Sequence, residues 1–173
     1  MAHYYEEAIP AEIRNLTDAQ AVEKFAAGAS LPTRAIAGLS REQLNSFPVP
    51  GTWSIQQIIV HLLDSDLMAS SRMKRIIAED HPRLEVYDET AFSQRLGYEK
   101  LSAQAAAELF RLHRVFTADM LRNAPADSFK RSADHPEIGE LSLAQLVRIY
   151  AHHVDHHMVF IQKKRKLLGV PPA

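Results

Sequence analysis

Four histidines fall within one short stretch, Tyr150-Ala151-His152-His153-Val154-Asp155-His156-His157. Neutral imidazole is a ligand for borderline metal ions and a proton carrier near neutral pH. Two imidazoles four residues apart on a helix stand on the same face and can converge on one ion. The stretch holds two such pairs, His152/His156 and His153/His157, so the face each pair occupies decides its role. A third imidazole must come from elsewhere. The candidate is His61, far upstream in Trp53-Ser54-Ile55-Gln56-Gln57-Ile58-Ile59-Val60-His61-Leu62-Leu63-Asp64.

Turning about 100° per residue from Leu143, at the centre of the apolar stripe, His153 falls at about 280° and His157 at about 320°. His152 and His156 fall at about 180° and 220°, on the opposite side. The inward pair is therefore His153 and His157. His61 lies about 60° beyond Ile58, on the flank of its own helix, where a cleft-lining ligand belongs. Three neutral imidazoles without a fourth protein ligand make an open, catalytic type of site, completed by water or substrate. Imidazole suits Zn, Ni, Cu or Fe, and availability and geometry favour zinc. A divalent ion held this way brings the pKa of water to about 7 or ionises a coordinated thiol.

Other side chains stand between a chemical and an ordinary role. Asp64, one turn after His61, could orient an imidazole or act as base, or be an exposed acid on an outer face. Trp53 could wall the cleft or staple the start of a helix. Arg72 could pair with an anionic substrate or be a surface charge like Lys74. His81, His113 and His135 are not assigned to the metal. Lys163-Lys164-Arg165-Lys166 complements a helix carboxyl end and requires no nucleic acid.

The elements that must position these groups start at clear signals. Ser or Thr followed three residues later by Gln is a capping box, and four occur: Thr17/Gln20, Ser40/Gln43, Ser54/Gln57 and Ser142/Gln145. After Thr17, Val22, Phe25, Ala26 and Ala29 form a helical stripe that Gly28 and Pro32 weaken before Ile36 and Leu39 resume. A long helix runs from Ser54 to about Asp80, carrying Ile55, Ile58, Ile59, Leu62, Met73, Ile76 and Ile77. Arg83 to Gly97 reads as a loop with one helical turn. Ser102 caps a third helix with Leu109, Leu112, Phe116 and Met120 on its apolar face, ending at Pro125. Ala126 to Glu140 reads as a loop, with no strand. The last helix follows Ser142, with Leu143, Leu146, Val147, Tyr150, Val154, Met158 and Ile161 as its stripe, and ends near Gly169. Four helices with one apolar face each predict an all-α four-helix bundle, a single domain over residues 1–173.

The chain of 173 residues is 46% hydrophobic and 24% charged, with a net charge of -1, a balance that argues against nucleic acid as a partner. It has no cysteine, so disulfides and thiolate ligands are excluded and any thiol chemistry needs a cosubstrate. No apolar run reaches the ~20 residues of a membrane span, and the first residues lack a signal-peptide profile. A cytoplasmic protein is expected.

From Leu39 to Lys164 the chain resembles the DinB-like superfamily, and within it the YfiT-type branch of metal-dependent hydrolases. The resemblance rests on Gly51-Thr52-Trp53-Ser54, His61-Leu62-Leu63-Asp64-Ser65, Arg72-Met73-Lys74, Glu79-Asp80-His81-Pro82 and Tyr87-Asp88-Glu89. It continues through Leu112-His113, His135-Pro136-Glu137-Ile138-Gly139 and the final histidine run. The family pattern places metal ligands at positions matching His61, His153 and His157. It also implies an up-down-down-up bundle, homodimers and a small-molecule substrate. Some relatives in the superfamily are transferases using small thiols such as bacillithiol or mycothiol. His152 stands where Trp is usual, and the usual Tyr-Pro-Ile-Gly lead-in is missing, departures that bear on substrate identity. Three functions follow: a metal-dependent hydrolase, a thiol S-transferase, or a metal-dependent binding module without turnover.

Overall fold

The computed structural model describes residues 3–171. Short N-terminal helices α1 (His3–Ala8) and α2 (Ala11–Arg14) precede α3 (Asp18–Ala27), a 3-10 turn at Gly28–Ser30, α4 (Leu31–Ala35) and α5 (Arg41–Asn45). Then come α6 (Ile55–Ala78), α7 (Glu89–Arg95), α8 (Ala103–Arg122), strands β1 (Ser132–His135) and β2 (Gly139–Ser142), and α9 (Leu143–Leu167). All four capping boxes form as read, with both reciprocal hydrogen bonds in place ahead of α3, α5, α6 and α9. Asp88 and Ser102 cap α7 and α8 through single side-chain bonds.

The bundle is built from α3 with its continuation α4, and from α6, α8 and α9. Both α3 and α6 pack against α8 and α9. Side-chain contacts fix the directions. Arg148 of α9 reaches Asp18, and Lys24 pairs with Asp155, so α3 and α9 run parallel. Arg122 pairs with Glu23 and Thr33 reaches Ala107, so α8 runs against α3. Gln56 bonds Leu101 and Asp66 bonds Arg114, which makes α6 and α8 parallel. The order is up, down, down, up. Parallel neighbours α6 and α8 need a long return connection, which Glu79 to Ser102 provides.

Two apolar clusters fill the interior, one around Phe25, Met73, Leu121 and Val147, the other around Leu44, Ile59, Phe110 and Ile161. Arg114 is wholly buried among all four bundle helices. It forms a bidentate pair with Asp66 of α6 and donates to the carbonyls of Phe25 in α3 and Tyr150 in α9. Its guanidinium also lies 4.3 Å from the Phe25 ring centroid and 4.6 Å from that of Phe110. Gly28 makes room for it: a Cβ there would lie 2.6 Å from Arg114 Nη1 and 2.8 Å from Val154 Cγ1. Glycine stands at this position because the guanidinium occupies the space a side chain would need.

Four sequence expectations are corrected. The inward face of α8 is not Leu109, Leu112 and Phe116, which are exposed, but Ala103, Ala106, Ala107, Phe110, Arg114, Thr117, Ala118 and Leu121. Small residues let α8 approach α3 and α6 closely, and the larger apolar side chains turn outward. The stretch 126–140 is not strandless. It contains β1, which pairs antiparallel with β2 in the register Ser132↔Ser142 to His135↔Gly139, too short for an alternation to stand out. The stretch 83–97 carries the seven-residue α7 rather than a single turn. Nor are the basic residues near the end of α9 mere dipole partners. Arg165 is buried and donates to the carbonyls of Ala35, Ala37 and Pro171.

Candidate metal centre

Each histidine of the predicted set sits where its helix must deliver it. Capping by Ser54 sets the start of α6, and two turns later His61 projects from the flank, 1% exposed. Capping by Ser142 sets α9 in the same way, bringing His153 and His157 round on successive turns. Because α6 and α9 are antiparallel neighbours, the three rings meet. One nitrogen from each lies within 4.8 Å of the others. The Nε2 atoms of His153 and His157 face each other at 3.1 Å, and the His61 ring centroid lies 5.4 Å and 4.9 Å from theirs.

Burial keeps these rings neutral. It lowers the pKa of His61 to about 4 and, with His61 and His156 adding repulsion, that of His157 to about 3. His153 is pushed well below its ordinary value, by burial first and then by His157 and His61. The Nδ1 atoms of all three are buried with no hydrogen-bond partner among the described residues. Three neutral imidazoles converging in this way fit the donor set of a divalent transition ion.

The trio opens onto three cavities. A cleft of about 440 Å³ is bordered by Ala8, Ile9, Glu89 and all of His61, His152, His153, His156 and His157. His152 and His156 thus rim the cleft rather than leaving the site behind. A polar cavity of about 180 Å³ reaches from His153 past Tyr150, Ser65, Tyr87, Arg72 and His135. An apolar one of about 320 Å³ reaches from His157 past Trp53, Ile58 and Phe160. Trp53 stands edge-on to His61 with centroids 4.9 Å apart, so it walls the site.

The other predicted residues divide. Asp64 accepts a 2.5 Å hydrogen bond from the buried Tyr98 hydroxyl, and the structure does not bring it among the clustered metal-ligating atoms. Arg72 is buried in the polar cavity, with Nε and Nη2 donating to the Glu85 carbonyl. His113 bonds Ser70, away from the trio. One acid was overlooked: Glu89, at the start of α7, borders both the cleft and the polar cavity. Burial raises its pKa, as does the neighbouring Glu137. Its only sequence signal was its place in Tyr87-Asp88-Glu89, since nothing in the spacing ties it to the histidines.

A model of the DinB superfamily matches residues 13–161. The chain belongs to the DinB superfamily. Among its relatives is a protein of Oceanobacillus iheyensis, 32% identical over 130 residues, covering 74% of this chain and 75% of that one. Another, from Halalkalibacterium halodurans, is 29% identical over 137 residues, covering 78% and 80%. Both carry the name "Putative metal-dependent hydrolase". YfiT from Bacillus subtilis matches this DinB-superfamily fold with a TM-score of 0.84 at 22% identity, covering 95% of this chain and 93% of its own. Its four-helix bundle topology is described as unusual. No helix among the described residues is long and apolar enough to cross a membrane.

Proposed function

We propose that His61, His153 and His157 hold a divalent ion, zinc first and nickel or another transition metal second, and that the protein is a metal-dependent hydrolase of a small molecule. The observation that carries this reading is the meeting of three neutral imidazoles from two helices at an open cleft, their Nδ1 atoms without a partner among the described residues. The names of the curated relatives support it. A bound ion supplies Lewis acidity toward a carbonyl or similar electrophile and acidifies water.

The chain's own groups supply the rest. Glu89, with its raised pKa and its place beside the histidines, is the proton carrier we assign. Asp64 acts through Tyr98 as a positioning residue. Arg72 and Tyr150 line the polar cavity and orient substrate there. Trp53 and Ile58 exclude water on the opposite side.

A second reading is a thiol S-transferase. It is favoured by the paired cavities, one polar and one apolar, that leave the trio in different directions and offer separate seats for a thiol and an electrophile. Activity in a substrate panel with and without added low-molecular-weight thiol separates the two. No turnover with any substrate leaves the metal-dependent binding module. Elemental analysis of tag-free parent and His61→Ala protein tests the centre itself. One ion per chain in the parent and none in the variant is the expected result; equal metal in both overturns it. We place the protein in the cytoplasm and assign it a homodimer, for which the outward apolar stripe of α8 provides a surface.

A further inference from the structure

Lys164 is a buried cation that the hydrolase reading leaves without a task. Its residue is 2% exposed, and its Nζ donates to Thr52 Oγ1 at 2.5 Å, while that hydroxyl donates onward to the Val49 carbonyl. No carboxylate among the described residues pairs with it. Burial and the neighbouring Lys163 both lower its pKa. A buried ammonium with one neutral acceptor is costly, because one hydroxyl replaces little of its hydration.

Lys164 lines the apolar cavity together with Val49, Trp53, Ile58, Phe160, the exposed Lys163 and His157. Lys164 follows His157 by seven residues on α9, two helical turns, which is about 10 Å along the axis. The cavity therefore combines a buried cation, apolar walls and, about two helical turns from that cation along α9, the imidazole of His157.

We infer that this cavity seats an amphipathic carboxylate, its head on Lys164, its apolar chain along Trp53, Ile58 and Phe160, and its distal end at His157. A carboxylate satisfies the remaining N–H donors of Lys164 and neutralises it. An apolar chain of about 10 Å spans the walls, and the group presented at His157 is the one to be transformed. The distal assignment rests on the proposed role of the histidines; the seat at Lys164 does not.

The chain has a single tryptophan, and it stands in this wall, so intrinsic fluorescence reports occupancy. The test titrates octanoate, 1-octanol and acetate into the protein as purified. Octanoate is expected to bind about tenfold or more tighter than 1-octanol, the effect of a hydrogen-bonded charge pair, and acetate far more weakly than either. Lys164→Met removes the preference for octanoate. Phe160→Ala, a change in a half-exposed wall residue, weakens octanoate and 1-octanol alike. His153→Ala removes a trio member that does not line this cavity, so it retains octanoate binding while elemental analysis of the same sample reads its metal. Absence of metal in the parent thus refutes the centre without touching the seat. Equal binding of octanoate and 1-octanol, or an unchanged preference in Lys164→Met, overturns the inference.

Discussion

Arg114 and Asp66 face each other in a bidentate ion pair at the middle of the bundle, 0% and 1% exposed in their side chains. The pair is compensated on its outer side, since the guanidinium also binds two backbone carbonyls. Removing one partner leaves the other charge buried without its counter-ion. Asp66→Ala and Arg114→Met are each expected to cost about 3–5 kcal/mol in denaturant unfolding. The double variant costs less than the sum of the two, as a double-mutant cycle will show.

Gly28→Ala tests the space beside the same guanidinium. Its new methyl collides with Arg114 Nη1 and Val154 Cγ1, and overpacking of this kind costs about 1–3 kcal/mol. In an Arg114→Met background, where the tip of the side chain is thinner and flexible, the penalty is smaller. Chemical denaturation of the parent, the two single variants and the double variant measures the difference.

If the trio holds an ion, loading it is expected to stabilise the fold. An ion that binds only the assembled trio adds about 2.7 kcal/mol at a free concentration one hundred times its Kd. Dialysis against chelator is expected to lower Tm, and zinc to restore it in the parent but not in His153→Ala. Calorimetry of both proteins, stripped and reloaded, checks this.

Metal-free protein loses stability in mild acid. His61 and His157 have folded pKa values of about 4 and about 3, below the ordinary 6.5 of an unfolded chain. As pH falls the unfolded chain takes up protons first, so their contribution is complete above about 6.5 and is lost as pH drops toward 4 and below. Melting of chelator-treated protein across that window shows the slope. His61→Leu makes it shallower.

The exposed face of α8 carries Leu109, Leu112, Val115 and Phe116, the last 65% exposed. If two chains meet there, Phe116→Glu or Leu112→Glu converts a dimer to a monomer in light scattering while leaving the helix content unchanged. A parent that runs as a monomer removes the assignment.

Much of this was legible because local rules and tertiary demands agree. Ser54 with Gln57 and Ser142 with Gln145 set the phase of α6 and α9, and phase alone told His153 and His157 from their neighbours. Where polar groups are satisfied at long range, no local signal exists. Arg114 stands among apolar residues of α8 and finds Asp66, Phe25 and Tyr150 on three other helices. Counting large hydrophobes therefore picked the wrong face of α8, whose close packing uses alanines. Asp64 shares a helix with His61, yet its partner Tyr98 comes from the return connection. The β1–β2 hairpin is held partly by Pro82 and Leu84 bonding to Asp134, across a gap no periodicity spans.

His61 is synthesised long before His153 and His157, and no shorter nascent chain holds all three. A ribosome-bound bundle missing α9 can collapse, but it has no complete site to offer a metal ion. If the trio is the metal centre, metallation is a late event in the life of each molecule, and it marks chains in which α6 and α9 have already docked.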